Sequence, residues 1–304
     1  MVDAVWEIAM YGLLAPVMML LSTGATPTAT SMADAAPIDG RFDVGGRSIR
    51  LSCTGSGSPT VVVDAGMGTA PVEDPGWQGI AAKIAPVTRI CLYDRAGLGG
   101  SDPASTAPRT SLDAAADLHA ALAKAGVPGP YLIAAHSIGG LHAQVFASRY
   151  PADTAGLVLI SSTHPDQIAT WLSLLPPETA GEEKAITEAR NFLTAMSTDP
   201  TRNEEKLDFA ASAAQAHALK NLGARPVVIA THSPRFRMVP GLSEPMAIKL
   251  ETATQQMQKQ FLLLSSNARQ NIAATAGHGL PHEAPDFVVD NILQGVAMVR
   301  GKSR

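Results

Sequence analysis

The chain has 304 residues, 46% hydrophobic and 16% charged. That balance excludes a disordered chain, which needs low hydrophobicity and high net charge. Lys and Arg number 23 against 27 Asp and Glu, a net charge of −4, so no basic excess exists to grip a phosphate backbone and a nucleic-acid partner is not expected.

In chain order, the first feature is an uncharged run from Ile8 to Leu21, interrupted by Pro16. It falls short of the roughly 20 apolar residues that span a bilayer and has the length of a signal-peptide hydrophobic region. Ala33-Asp34-Ala35 follows with the small-residue pattern of a cleavage site. Asp3 and Glu7 precede the run without any Lys or Arg, against the positive start that export signals prefer. The expectation is export to the periplasm or medium, or an N-terminal anchor. Thr23 to Pro37 reads as a linker, so residues 1–37 lie outside the folded domain and residues 38–304 form it. The two cysteines, Cys53 and Cys91, are too few for a disulfide framework. No Cys/His spacing resembles a zinc site, and no metal or other cofactor is expected.

Arg41–Val44 and Ser48–Cys53 alternate around Gly45-Gly46, a hairpin signal. Thr60–Val63 is a continuous β-branched run, as in a strand buried on both faces. A glycine loop, Asp64-Ala65-Gly66-Met67-Gly68, follows it. Helix over Trp77–Ile84, strand over Thr88–Tyr93, helix over Ser111–Ala125, strand over Pro130–Ala135, helix over Gly139–Tyr150 and strand over Gly156–Ile160 come next. This alternation predicts a mostly parallel sheet with helices on both faces. The rhythm breaks between about Gln167 and Leu222, where Glu182–Met196 and Asn203–Asn221 have helical character and no strand signal appears. Such an insertion is either a cap over a site or helices packed on the sheet's flank; the interrupted rhythm favours the cap. Pro226–Ala230 resumes the sheet, Met246–Leu264 is helical, Asn271–Thr275 is a last strand and Pro285–Val299 a closing helix.

The chemistry concentrates at Ala135-His136-Ser137-Ile138-Gly139-Gly140, between a strand and a helix. A serine at such a turn stands on strained backbone, with small residues two before and two after it. The helix N-terminus behind it favours developing negative charge. Ser137 is therefore the expected nucleophile. A serine that merely caps the helix is the plainer alternative.

With these residues in view, the sequence resembles the α/β-hydrolase fold superfamily, and within it esterase- and lipase-like serine hydrolases. The resemblance covers about Arg41 to Val299. It rests on Asp64-Ala65-Gly66-Met67-Gly68, Tyr93-Asp94-Arg95-Ala96-Gly97-Leu98-Gly99, His136-Ser137-Ile138-Gly139-Gly140 and Ala276-Gly277-His278, in this order. It implies an eight-stranded, mostly parallel sheet flanked by helices, with an inserted helical cap. It places the catalytic base at His278, with His282 as nearest rival, and the oxyanion donors at the Met67 and Ile138 N–H groups. Gly66, Gly68 and His136 become candidate substrate-binding residues, although the His136 side chain is expected to point away from the nucleophile. The loop from Arg95 is expected to shape the site without doing chemistry.

The acid of a Ser–His–acid triad is harder to place. Most relatives carry it just after the seventh strand, where this chain reads Thr231-His232-Ser233-Pro234. Others carry it after the sixth, where this chain has Ser161. The next carboxylates downstream are Asp166 and Glu244. Asp166 is the expected acid and Glu244 its alternative; Asp166 as a helix N-cap is the competing reading. His164 and His232 lie on loops that could line the pocket. The fold also implies that strands two and four pair, so Cys53 and Cys91 either form a disulfide or sit as two small buried hydrophobes.

The expected function is hydrolysis of small-molecule carboxylic esters through an acyl-enzyme, with Trp171, Leu172, Leu174 and Leu175 supplying an apolar pocket. Amide or lactone hydrolysis, acyl transfer and perhydrolysis fit the same residues. A serine at the elbow argues against epoxide hydrolase and haloalkane dehalogenase chemistry, which use an aspartate nucleophile. The missing acid keeps a non-catalytic binding protein in play.

Overall fold

The β-branched runs form strands and the Ala/Leu-rich runs form helices in the computed structural model, which describes residues 36–301 apart from Pro240. The apolar run from Ile8 and nearly all of the linker after it lie outside the described residues. In chain order the elements are β1 (Ile38–Asp43), β2 (Ser48–Thr54), β3 (Thr60–Asp64), α1 (Pro75–Ile84), β4 (Ile90–Tyr93), α2 (Ser111–Lys124), β5 (Tyr131–His136), α3 (Gly139–Arg149) and β6 (Thr154–Ile160). Then come α4 (Gln167–Leu174), α5 (Lys184–Thr198), α6 (Phe209–Ala216), β7 (Val227–Thr231), α7 (Glu244–Gln260), β8 (Ala268–Ile272), α8 (Leu280–Glu283) and α9 (Pro285–Val299). The strands make one eight-stranded sheet in the order β1-β2-β4-β3-β5-β6-β7-β8. Strand β2 is antiparallel to β1 and β4, and every other pairing is parallel.

The continuous apolar runs are buried on both sides because helices cover both faces. Val62, Ile133, Leu157 and Ile229 face a core shared with Leu118 and Leu122 of α2 and Phe146 of α3. Val61, Val63, Leu132 and Val158 face another, shared with Trp77 and Ile80 of α1 and Val288 and Ile292 of α9. Each fully buried aliphatic side chain contributes about 1.5–3 kcal/mol. Across the β2/β4 ladder Cys53 stands directly opposite Cys91, and the two form a disulfide.

Three expected elements differ. The last strand is β8 at Ala268–Ile272 rather than Asn271–Thr275. It is an edge strand with no fully buried residue, so it lacks the apolar signal of its neighbours. Of the helix expected over Asn203–Asn221, only α6 forms. Main-chain bonds Arg109 N→Lys206 O and Asp208 N→Arg109 O tie the preceding stretch to the loop before α2. Asn203 bonds both backbone groups of Leu207, and Asp208 caps α6 by accepting from Ala211 N. The run expected as one helix to Leu264 ends its α-helical part at Gln260 and closes in a 3₁₀ turn.

Candidate active site

Strand β5 runs into α3 through Ser137, whose φ is +53°. A non-glycine residue in this left-handed region is uncommon and costs energy that the surroundings must hold. The hold is visible: Ser137 N–H donates to Ile160 O, and Ser137 O accepts from Gly140 N and Thr163 N. Position 139 must be glycine, because a Cβ there would collide with the carbonyl oxygen of Asp64. The turn presents Ser137 Oγ at 2.9 Å from His278 Nε2.

His278 follows β8 on a turn clasped by Glu283. One Glu283 oxygen accepts from Gly277 N at 2.6 Å and the other from Gly279 N at 3.1 Å. His136 Nε2 lies 2.8 Å from the His278 carbonyl oxygen, so His136 buttresses the histidine turn from beneath. Its ring is held beside the Gly66 backbone. His282, the rival base, lies on α8 with Nε2 3.4 Å from Asp74, away from Ser137.

Ile138 N and Met67 N have no hydrogen-bond acceptor among the described residues, whereas Gly68 N–H is taken by Glu205. The loop carrying Met67 is fixed by Arg95, a larger task than the sequence suggested for that residue. Its guanidinium donates to Asp64 Oδ1, to the Ala65 and Gly66 carbonyl oxygens, and to both oxygens of Glu205. Burial alone would raise the Glu205 carboxyl, but the Arg95 charge and hydrogen bonds outweigh it and hold it down at about 2.

The acid is where expectation and structure part. Asp166 does not reach His278. It sits at the start of α4, half-exposed, with its carboxylate 2.9 Å from His217 Nε2 and 3.7 Å from His164 Nδ1. It occupies the N-cap position of α4 but makes no side-chain capping bond. Glu244 is also exposed, at the start of α7, and accepts from Arg237. Asp166 is bonded to His217 at the end of α6, and Glu244 to Arg237 on the loop before α7. At His278 Nδ1 stands instead Ser161 Oγ, 2.8 Å away. Ser161 Oγ is also 2.6 Å from His232 Nδ1, and His232 Nε2 is 3.0 Å from Glu251 Oε1. The two positions after β6 and β7 where a carboxylate was sought therefore hold a serine and a histidine in contact with each other, with a buried carboxylate of α7 behind them.

Ser137, Ile138, Met67 and His278 open into a cavity of about 490 Å³. Its remaining wall is mostly apolar, with Trp171, Phe192, Met196, Phe209 and Met238 prominent and Thr163, Gln167 and Glu188 as its polar members. Trp171 lines it as expected. Leu174 and Leu175 pack instead into a side cluster with Leu193 and Leu250, and Leu172 lines a neighbouring pocket. The other walls come from α5, α6 and the loop after β7, and no local motif announced them.

Burial holds these histidines neutral. It drives His278 well below the ordinary value of 6.5, and it takes His136 and His164 down to about 4. A depressed histidine contributes stability that is complete above 6.5 and is lost as pH falls from there through the folded-state value. Glu205 adds a second loss, as pH falls from its unfolded value of about 4.5 towards 2. The melting temperature is therefore expected to hold steady above pH 7 and to drop by about 5 °C or more between pH 7 and pH 5. Thermal melts across that range check this, and a flat profile would contradict neutral burial of the three rings.

Comparison with known proteins agrees with this architecture. Residues 51–291 match the alpha/beta hydrolase family. An "AB hydrolase superfamily protein" of Gibberella zeae is 24% identical over 284 residues, 80% of this chain and 87% of that protein. An uncharacterized protein of Schizosaccharomyces pombe is 40% identical over 80 residues, 26% of this chain and only 15% of that protein's length. Among solved structures, a putative lipase of Acinetobacter baumannii superposes with a TM-score of 0.57 at 18% identity, covering 87% of this chain and 92% of that one. At such identity the likeness concerns the fold.

Proposed function

The chain belongs to the alpha/beta hydrolase family, and from that premise we propose that it is a serine hydrolase that cleaves carboxylic esters of apolar acids. The observation that carries this is Ser137 Oγ on its strained turn, 2.9 Å from His278 Nε2, at the floor of an apolar cavity. In the forward step Ser137 Oγ attacks the acyl carbonyl carbon and His278 Nε2 takes its proton. The Met67 and Ile138 N–H groups receive the developing oxyanion, and the α3 N-terminus adds its dipole. His278 then gives the proton to the departing alcohol. A water entering the same position, activated by His278, releases the acid and restores Ser137.

Two features narrow the reaction class. A serine oxygen at the elbow forms an acyl ester, whereas dehalogenation and epoxide opening in related folds use a carboxylate nucleophile at that place. The cavity size lies in the range of small-molecule sites, and its walls favour hydrocarbon over a charged acid. The helices between β6 and β7 read as a cap that supplies much of the wall. The Cys53–Cys91 disulfide, with the apolar run from Ile8, supports a place outside the reducing cytoplasm.

A fluorophosphonate probe should label Ser137, and p-nitrophenyl esters of six to ten carbons should be hydrolysed with kcat/KM about tenfold above the acetate, since each buried CH₂ adds up to about 0.8 kcal/mol. Wild-type protein that neither labels nor cleaves any chain length would leave a hydrolase-fold binding protein as the reading.

A further inference from the structure

We propose that Ser161, His232 and Glu251 form a hydrogen-bonded relay that orients His278 and supports its positive charge, in place of a carboxylate directly on the ring. The inference rests on the serine-hydrolase reading above. The directions of the hydrogen bonds follow from which groups can donate. A carboxylate only accepts. Glu251 Oε1 therefore receives the Nε2–H of His232, as it receives the Nε2–H of Gln255 at 2.8 Å. With its one proton on Nε2, neutral His232 presents a lone pair at Nδ1, and Ser161 must donate its Oγ–H there. The Ser161 oxygen is then left as an acceptor, and it takes the Nδ1–H of His278. That fixes the His278 tautomer with a bare Nε2 facing the Ser137 hydroxyl. One carboxylate thus sets the polarity of four successive hydrogen bonds.

The same chain acts in the chemical step. When Ser137 transfers its proton, His278 becomes an imidazolium whose Nδ1–H points at an oxygen already polarised toward His232 and Glu251. The proton stays on His278, and Ser161 and His232 keep theirs. No bond is made or broken in the relay, so its members are positioning residues.

Three further observations favour this over an incidental buried network. Ser161 has φ +41°, a second strained serine beside the strained nucleophile. Ser161, His232 and Glu251 are each at least 97% buried, and Glu251 Oε2 has no hydrogen-bond partner among the described residues. Keeping a carboxylate inside with an oxygen unmatched is costly; its bound oxygen serves His232. Gln255 also donates to the His232 carbonyl oxygen, so α7 grips histidine and acid together.

The test compares variants of the full chain by steady-state kinetics and by ¹⁵N NMR of the His278 ring. Ser161→Ala removes one oxygen and Glu251→Leu removes the terminal acceptor. Each is expected to lower kcat about 10²–10³-fold with KM within about threefold, a loss of the size that positioned acid–base groups contribute. Because both cut one chain, the double variant should be no slower than the slower single. Glu251→Gln retains an acceptor oxygen and loses only the charge, so its loss should be about tenfold. The wild-type ring should show a protonated Nδ1 and a bare Nε2, and Ser161→Ala should shift protonation toward Nε2. A folded Ser161→Ala protein with kcat within about threefold of wild type and an unchanged His278 tautomer overturns the relay. If Glu251→Leu does not fold, Ser161→Ala decides alone. Should wild type fail to label with fluorophosphonate, the hydrolase reading falls; should it label while Ser161→Ala labels equally fast, only the relay falls.

Discussion

Replacing Ser137 by alanine is expected to reduce ester hydrolysis by about 10⁴–10⁶-fold while leaving the melting temperature within about 3 °C of wild type. The asymmetry follows from what the hydroxyl does. Its hydrogen bond is to His278 Nε2, a contact whose stabilising value is about 1 kcal/mol. The backbone bonds that hold the turn, from Ile160, Gly140 and Thr163, do not involve the side chain and remain. Alanine inherits the same φ of +53°, so no strain is newly relieved or imposed. The chemical loss is total for covalent catalysis, and residual turnover would come from the oxyanion donors and cavity alone. His278→Ala should cost a similar factor. The two losses should not multiply, since the oxygen and its base act as one unit. Steady-state rates of both single variants and the double variant decide this. A double variant slower than either single by the product of their factors would contradict a shared proton transfer, and a Ser137→Ala protein retaining more than about 1% of the rate would remove Ser137 as nucleophile.

The sheet and the facing pair of Ser137 and His278 were legible because each has a local signature. TVVV can be buried on both faces, and Ser137 stands at a strand-to-helix turn between residues small enough to permit it. His278 was legible from its place after the last strand, even though that strand lay three residues earlier than expected. What escaped the sequence is assembled across long separations. Glu251 sits on the helix after β7, where its spacing is that of any helical residue, and only the fold brings it to His232. The carboxylates that follow the ends of β6 and β7 most closely in sequence, Asp166 and Glu244, are exposed and bonded to His217 and Arg237. The readable signal was a different one: a serine after β6 and a histidine after β7 at the two places where an acid was sought. The cavity wall escaped for the same reason, since Phe192 and Met238 come from segments that share no motif.

Arg95 provides the second large effect. All five of its N–H donors are used, on Asp64, on the Ala65 and Gly66 carbonyl oxygens of the loop before Met67, and on both oxygens of Glu205. Asp64 is itself engaged by the Tyr93 hydroxyl at 2.8 Å, and Glu205 by Gly68 N–H at 3.0 Å. Lysine has three donors on a flexible stem and cannot reproduce the planar fork. Arg95→Lys would leave carbonyl or carboxylate oxygens unmatched in a site where Arg95 is 4% exposed. Each buried oxygen left without a donor costs about 1–3 kcal/mol, and at least two are left, which for a chain of this size lowers the melting temperature by about 5–15 °C. Activity should fall as well, and through kcat. The Ala65 and Gly66 carbonyl groups that Arg95 holds lie in the peptides leading to Met67, so releasing them lets the Met67 N–H swing out of line, and losing one oxyanion donor costs about 10²–10³ in kcat. Glu205→Gln frees the fork's other end and should show the smaller part of both effects, because the Asp64 and carbonyl contacts survive it. Calorimetry with steady-state kinetics on the two variants separates the contributions. An Arg95→Lys protein that melts within about 2 °C of wild type and turns over at the wild-type rate would show that the guanidinium does not hold the oxyanion loop.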